Sequence, residues 1–189
     1  MAKVKSIGER ISWFDHGDHS TVIVSSKIES WKETLLFVWA AALTFSLVYF
    51  YLQLFGNYGS DQKIYLVVMV SFLTYFTFRI WKAFLWRKFG MEFFRVDDEK
   101  MVIKKSIGKY GKAINYFHDN IKEMEVTKQK EGTLSKEMNS SFWVVGGETL
   151  AFTYLQKQVK FGRQLNVEEA NELMKLLKSL RSKHRKVAS

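Results

Sequence analysis

The chain has 189 residues, 47% of them hydrophobic, and carries 29 Lys and Arg against 19 Asp and Glu, a net charge of +10. It has no cysteine, which excludes disulfides, thiolate nucleophiles and cysteine-ligated zinc or iron–sulfur centres. It has no proline either, so no helix or strand interior is broken by that residue. The mean hydropathy of -0.14 conceals a segregation, because the apolar residues concentrate in Thr34–Trp86 and the flanks are polar and basic. A basic excess beside an apolar block points to anionic lipid headgroups ahead of nucleic acid.

In Met1–Phe14, the residues Val4, Ile7, Ile11 and Phe14 recur at helical spacing. This predicts a short amphipathic helix, with Trp13 either at a membrane interface or packed on the rest of the protein. The segment lacks the apolar core of a secretory signal. Asp15–Ser20 (DHGDHS) follows as a polar loop, and Val22–Val24 as a brief extended or interfacial piece. His16 and His19 are the only candidate metal pair, and no third ligand is evident, so no metal is expected.

Two apolar runs come next, Thr34–Phe55 and Ile64–Trp86, joined by the turn Gly56–Lys63. At about 1.5 Å per residue, each run spans a hydrocarbon core of roughly 30 Å, and the short turn makes them an antiparallel hairpin. Trp31, Tyr58, Tyr65, Trp81 and Trp86 bound the runs as interfacial aromatics do. Lys3, Lys5, Arg10, Lys27 and Lys32 precede the first run, and Arg79, Lys82, Arg87 and Lys88 end or follow the second. The turn holds only Lys63 with Asp61, so both termini are expected in the cytoplasm of a bacterial cell. Arg79 lies near the cytoplasmic end, where its side chain reaches the headgroups by snorkelling. The hairpin contains no His, Asp or Glu apart from Asp61 of the turn, which argues against haem ligation and a proton relay. Ala40, Ala41, Thr44 and Ser71 are the small residues expected at a helix–helix contact.

Beyond Trp86 the pattern shortens to strands: Met91–Val96, Met101–Ile107, Ala113–Phe117, Ile121–Thr127, Ser141–Val145, Leu150–Tyr154 and Gln158–Phe161. Gly108–Gly111 (GKYG) is a hairpin turn, Gly146–Gly147 another, and Gln129–Ser140 a polar loop. A final helix starts at Asn166, with Glu169 completing a capping box and Ala170, Leu173, Leu176, Leu177 and Leu180 forming one apolar face. Arg181, Lys183, Arg185 and Lys186 suit the negative end of that helix. The expected division is an N-terminal cytoplasmic or interfacial segment (1-33), a transmembrane hairpin (34-86), a cytoplasmic domain (89-183) and a basic tail (184-189).

Seven strands in two groups closed by one amphipathic helix resemble a pleckstrin-homology (PH) domain. The stretches Phe93–Val126 (FFRVDDEKMVIKKSIGKYGKAINYFHDNIKEMEV) and Val159–Leu177 (VKFGRQLNVEEANELMKLL) resemble bacterial PH-like membrane proteins, which set such a domain beside a two-helix hairpin. The resemblance implies an α+β membrane protein: a two-helix transmembrane hairpin, then a PH-like seven-strand β-sandwich or barrel with a C-terminal helix. It also implies a role exercised through protein contacts. In PH domains a basic hairpin often grips lipid headgroups, and Lys104, Lys105, Lys109 and Lys112 occupy a comparable position, without an Arg for a bidentate phosphate contact.

No GxGxxG, Walker, GxSxG or HExxH pattern occurs. The expectation is therefore a non-catalytic accessory or assembly subunit of a bacterial inner-membrane complex, without cofactor, small-molecule substrate or nucleic acid. Its partners would be an integral-membrane protein complex or further copies of itself, and membrane lipids. The alternatives are a membrane-tethered module binding anionic lipid through Arg79, Lys82, Arg87, Lys88 and the four hairpin lysines, and a metal carrier using His16 and His19.

Overall fold

The computed structural model describes residues 5–127, 145 and 147–187. Three strands come first: β1 (Lys5–Ile7), β2 (Ile11–Asp15) and β3 (Ser20–Ser25). Helices α1 (Ser30–Gln53) and α2 (Ser60–Phe89) follow, then β4 (Gly90–Val96), β5 (Lys100–Ile107), β6 (Ala113–Phe117) and β7 (Ile121–Val126). Among the described residues, strands β8 (Glu148–Tyr154) and β9 (Lys157–Arg163) and helix α3 (Val167–Val187) come last. Contacts divide it into two units, the hairpin α1–α2 and a β unit made of the strands with α3.

Among the described residues the β unit has a six-stranded antiparallel sheet, β1-β2-β3-β4-β5-β6, and a three-stranded one, β7-β8-β9. Period-two burial explains the larger sheet: Val22 and Val24 of β3, Phe94 and Val96 of β4, and Met101 and Ile103 of β5 face inward. From the smaller sheet Leu150, Phe152 and Phe161 meet them, and Phe94 packs edge-on against Phe161 at 5.5 Å. Helix α3 closes this core with Ala170, Leu173, Leu177 and Leu180. Its capping box forms as expected: the Glu169 N–H donates to Asn166 Oδ1 at 2.7 Å, and the Asn166 N–H donates to Glu169 Oε2 at 2.9 Å.

Six of the seven expected strands are present as β4–β9, and the expected strand Ser141–Val145, like the Gln129–Ser140 loop and residue 146 of the glycine turn, falls outside the described residues apart from Val145. Three further strands precede the helices: β3 extends the piece expected at Val22–Val24, whereas β1 and β2 replace an expected helix. The helix predicted over Met1–Phe14 is instead the hairpin β1–β2, where Ile7 pairs with Ile11 and Lys5 with Trp13 across a turn that Gly8 enters at a φ of 60°. Strands this short leave too few apolar positions for sequence spacing to separate period two from helical period. Pairing through β3 with β4, about 70 residues away in the chain, decides the matter. At the other end, His184 belongs to α3 and is buried, so the helix continues into the expected tail.

The hairpin is inserted between two adjacent strands. Ser25 at the end of β3 pairs with Met91 of β4, and Ser26 bonds the Gly90 carbonyl through both its N–H (3.2 Å) and its Oγ (2.7 Å). The chain thus leaves one strand, runs through both helices and returns to that strand's neighbour.

Within the hairpin, Trp81 Nε1 donates to Thr44 Oγ1 at 3.0 Å, and Phe37 packs on Phe84 at 5.6 Å. Lys88 pairs with Glu33 at 3.1 Å. The hydroxyls of Thr34, Thr44, Ser71 and Thr74 each donate to the carbonyl four residues back, so these four hydroxyls are satisfied without water. Both helices are long and apolar enough to cross a membrane. Only Leu36 and Ala40 of α1 are buried, with Thr77, Ala83, Phe84, Trp86 and Arg87 of α2. Large apolar side chains such as Phe45, Tyr49, Ile64, Phe72 and Phe78 remain exposed. In water each would forgo about 1.5–3 kcal/mol of burial energy, which marks these surfaces as made for an apolar surrounding.

Ile11 is fully buried in the β unit. Replacing it with Ala should lower unfolding stability by about 2–4 kcal/mol in denaturant titration of the detergent-solubilised chain, whereas the same change in a peripheral interfacial helix would be nearly neutral.

Candidate functional site

Strands β6 and β9 end their respective sheets, and a groove of about 280 Å³ lies between them. Its apolar lining is Ile103, Ile114, Tyr116 and Val159, and its cations are Lys105, Lys112 and Lys160. Alternation along β5 turns Lys105 to the inner face with Met101 and Ile103 and sends Lys104 to the other face. Lys109 is exposed in the turn before β6. Of the four hairpin lysines, two therefore reach the groove, and Lys160, which sequence reasoning did not single out, joins them.

Lys105 of the groove lining also belongs to a polar cluster between the sheets. Glu92 lies on the inner face of β4 beside Phe94 and directly across from Lys105 of β5. Its carboxylate accepts the Gly162 N–H at 2.8 Å and the Arg163 N–H at 3.4 Å. Lys105 Nζ donates to the Lys160 carbonyl at 2.9 Å and to Glu148 Oε1 at 3.0 Å, and Arg163 Nε reaches the same Glu148 oxygen at 3.1 Å. Gly162 has a φ of 68°, so the strand takes a left-handed step where its amide turns to Glu92.

The two carboxyls are tuned in opposite directions. Burial pushes Glu92 above the ordinary carboxylate range, against the opposing pull of Lys105 and the two amides. Burial also acts to raise Glu148, but the hydrogen bonds and charges of Lys105 and Arg163 outweigh it and hold Glu148 below that range. Burial and the neighbouring Tyr154 raise Tyr116, which leaves a neutral phenol in the groove wall. The acidic side chains are thus occupied in joining the sheets, and the groove itself offers ammonium groups over an apolar floor.

The other expected residues are dispersed. Arg79 is exposed, with its guanidinium 5.9 Å from the Tyr75 ring centre, and Lys82 is exposed as well. Arg87 is buried, and Lys88 is engaged with Glu33. Ala40 is buried, Ala41 half-buried, and Thr44 holds the Trp81 indole, whereas Ser71 is exposed. His16 and His19 stack at 4.6 Å in the β2–β3 turn, with His19 against Asp18 at 2.9 Å. Among the described residues no group of three or more potential ligands gathers. Glu92 was legible as an anomaly, an acid at an apolar parity position of MEFFRV, but its partners on β9 were not. Comparison with protein-family models, curated proteins and solved structures finds no match to this chain.

A raised folded pKa makes the Glu92 contribution to stability full below the ordinary carboxylate value and lost as pH rises through the folded value. Glu148 has the opposite sign: its contribution is present above the ordinary value and lost as pH falls through its lowered folded value. Unfolding followed across pH should show Glu92→Gln flattening the loss on the rising limb and Glu148→Gln flattening the loss on the acid limb.

Proposed function

We propose that this chain is a non-catalytic, membrane-anchored interaction module, an accessory or assembly subunit of a bacterial inner-membrane complex. In this reading α1 and α2 cross the membrane, their connecting turn lies outside, and the β unit is cytoplasmic. The observation that carries it is the hairpin itself: two long apolar helices, exposed along most of their surface, inserted between neighbouring strands of a folded β unit. Because the chain leaves at Ser25 and returns at Gly90, one β unit is tethered at both ends of the hairpin. The charge asymmetry of the flanks supports the cytoplasmic side.

The β unit is read as a PH-like variant. Support comes from the order of β4–β9 and α3, with β3–β6 and β7–β9 forming consecutive antiparallel runs in two sheets. A role through contacts and not through catalysis is supported by the engagement of Glu92 and Glu148 in sheet-joining bonds. Direct contact with anionic headgroups is a secondary reading, favoured by exposed Arg79 and Lys82 near the C-terminal end of α2.

The chain has no cysteine of its own, so single cysteines report topology cleanly. With a membrane-impermeant maleimide on intact cells, Ser60→Cys should label and Lys109→Cys should label only after permeabilisation. The reverse pattern would exclude the orientation. Purification in mild detergent should recover stoichiometric partner subunits, and recovery of a lone monomer would overturn the subunit reading.

A further inference from the structure

We infer that the edge of β6 docks an extended, acidic segment of a partner protein as an added strand lying over the groove. The inference rests on the reading of the β unit as an interaction module and names the chemistry of what it binds.

The backbone of β6 supplies the first argument. The His118 N–H donates to the Glu99 carbonyl, and Ile107 exchanges bonds with Tyr110. In an antiparallel ladder the bonded pairs alternate, which makes Met101–Tyr116 and Ile103–Ile114 the hydrogen-bonded pairs. The N–H and C=O groups of Ala113, Asn115 and Phe117 therefore point away from β5. No described strand pairs with them.

Edge strands are ordinarily guarded by charge, proline or a bulge. Ala113–Phe117 (AINYF) carries no charge or proline and pairs with β5 in unbroken register. Four of its five residues are exposed, including Ile114 and Phe117. The neighbouring β9 edge is handled differently: Lys105 takes its Lys160 carbonyl and Glu92 its Gly162 N–H. Among the described residues, one edge is thus closed with side chains and the other has no partner strand.

The groove supplies the second argument. A strand added to β6 would set alternate side chains over Ile103, Ile114, Tyr116 and Val159. Lys112, just before β6, and Lys160, on β9, are exposed lysines lining the same groove. Lys105 is already shared with Glu148, so these two carry the charge that an incoming segment meets. An apolar floor between two ammonium groups fits a segment alternating apolar and acidic residues.

The test uses the full chain in nanodiscs of neutral lipid and the blocked heptapeptide Glu-Val-Glu-Ile-Glu-Val-Glu as probe. Binding should slow hydrogen exchange at the amides of Ala113, Asn115 and Phe117 and leave those of Tyr116 and Ile114 unchanged. The double variant Lys112→Glu, Lys160→Glu should weaken binding at least tenfold. Asn115→Pro should abolish it while the fold persists, since the lost N–H faces outward and an edge strand tolerates proline there. Backbone N-methylation of alternate peptide residues should abolish it as well. Equal binding of the peptide with Lys in place of Glu, equal binding of the N-methylated peptide, or protection of these amides only by nanodiscs of anionic lipid would overturn the inference. Loss of peptide binding with partner subunits still co-purifying would sink the groove assignment alone.

Discussion

The join between the two sheets depends on how the outer edge of β9 is satisfied. An unpaired strand edge inside a folded unit leaves backbone donors and acceptors without water, and each such group is costly. Here the cross-strand neighbours Glu92 and Lys105 supply one acceptor and one donor, and they meet the Gly162 amide and the Lys160 carbonyl. Two side chains thus do for β9 what a neighbouring strand would do. Glu148 then balances the charge of Lys105 and is itself held by Arg163. A carboxylate this deeply buried costs stability by itself, and its amide bonds offset that cost while specifying how the sheets meet.

The inserted hairpin imposes the second constraint. Half of the larger sheet, β1–β3, precedes the helices, and the other half, β4–β6, follows them. The β unit therefore completes its core only when both ends of the hairpin have been made. A fragment beginning at Phe89 would lack three strands and the buried Ile11, Val22 and Val24. Helix α3 ties the N-terminal strands down at both of its ends. Near its start, Arg10 donates to the Gln164 carbonyl at 3.0 Å and pairs with Glu169 at 3.2 Å. Near its finish, Ser20 Oγ lies 3.0 Å from His184 Nε2, and Asp15 pairs with Lys183, which holds the Asp15 carboxyl below its ordinary range.

These contacts explain which parts of the molecule could be read in advance. The helices are legible because some 20 consecutive apolar residues have few folded alternatives. The capping box at Asn166 is legible because both partners lie within one helical turn. Strands β5 and β6 emerge close to their expected bounds because a glycine-flanked turn separates two alternating runs. Strands β1 and β2 read as a helix in the sequence, since Ile7 and Ile11 face each other across a hairpin turn at a separation that also suits one helical turn.

The sequence by itself determined the apolar hairpin, the charge asymmetry of its flanks, most strands after it and the closing amphipathic helix. Each is a local pattern, set by hydropathy, periodicity or a cap within a few residues. Only the tertiary structure decided that residues 5–25 complete the sheet, that Lys160 and not Lys104 joins Lys105 and Lys112 at the groove, and that Glu92 serves the edge of β9. Those outcomes depend on pairings between residues about 50 to 70 positions apart, where strand parity and sheet order, not local composition, select which side chains meet.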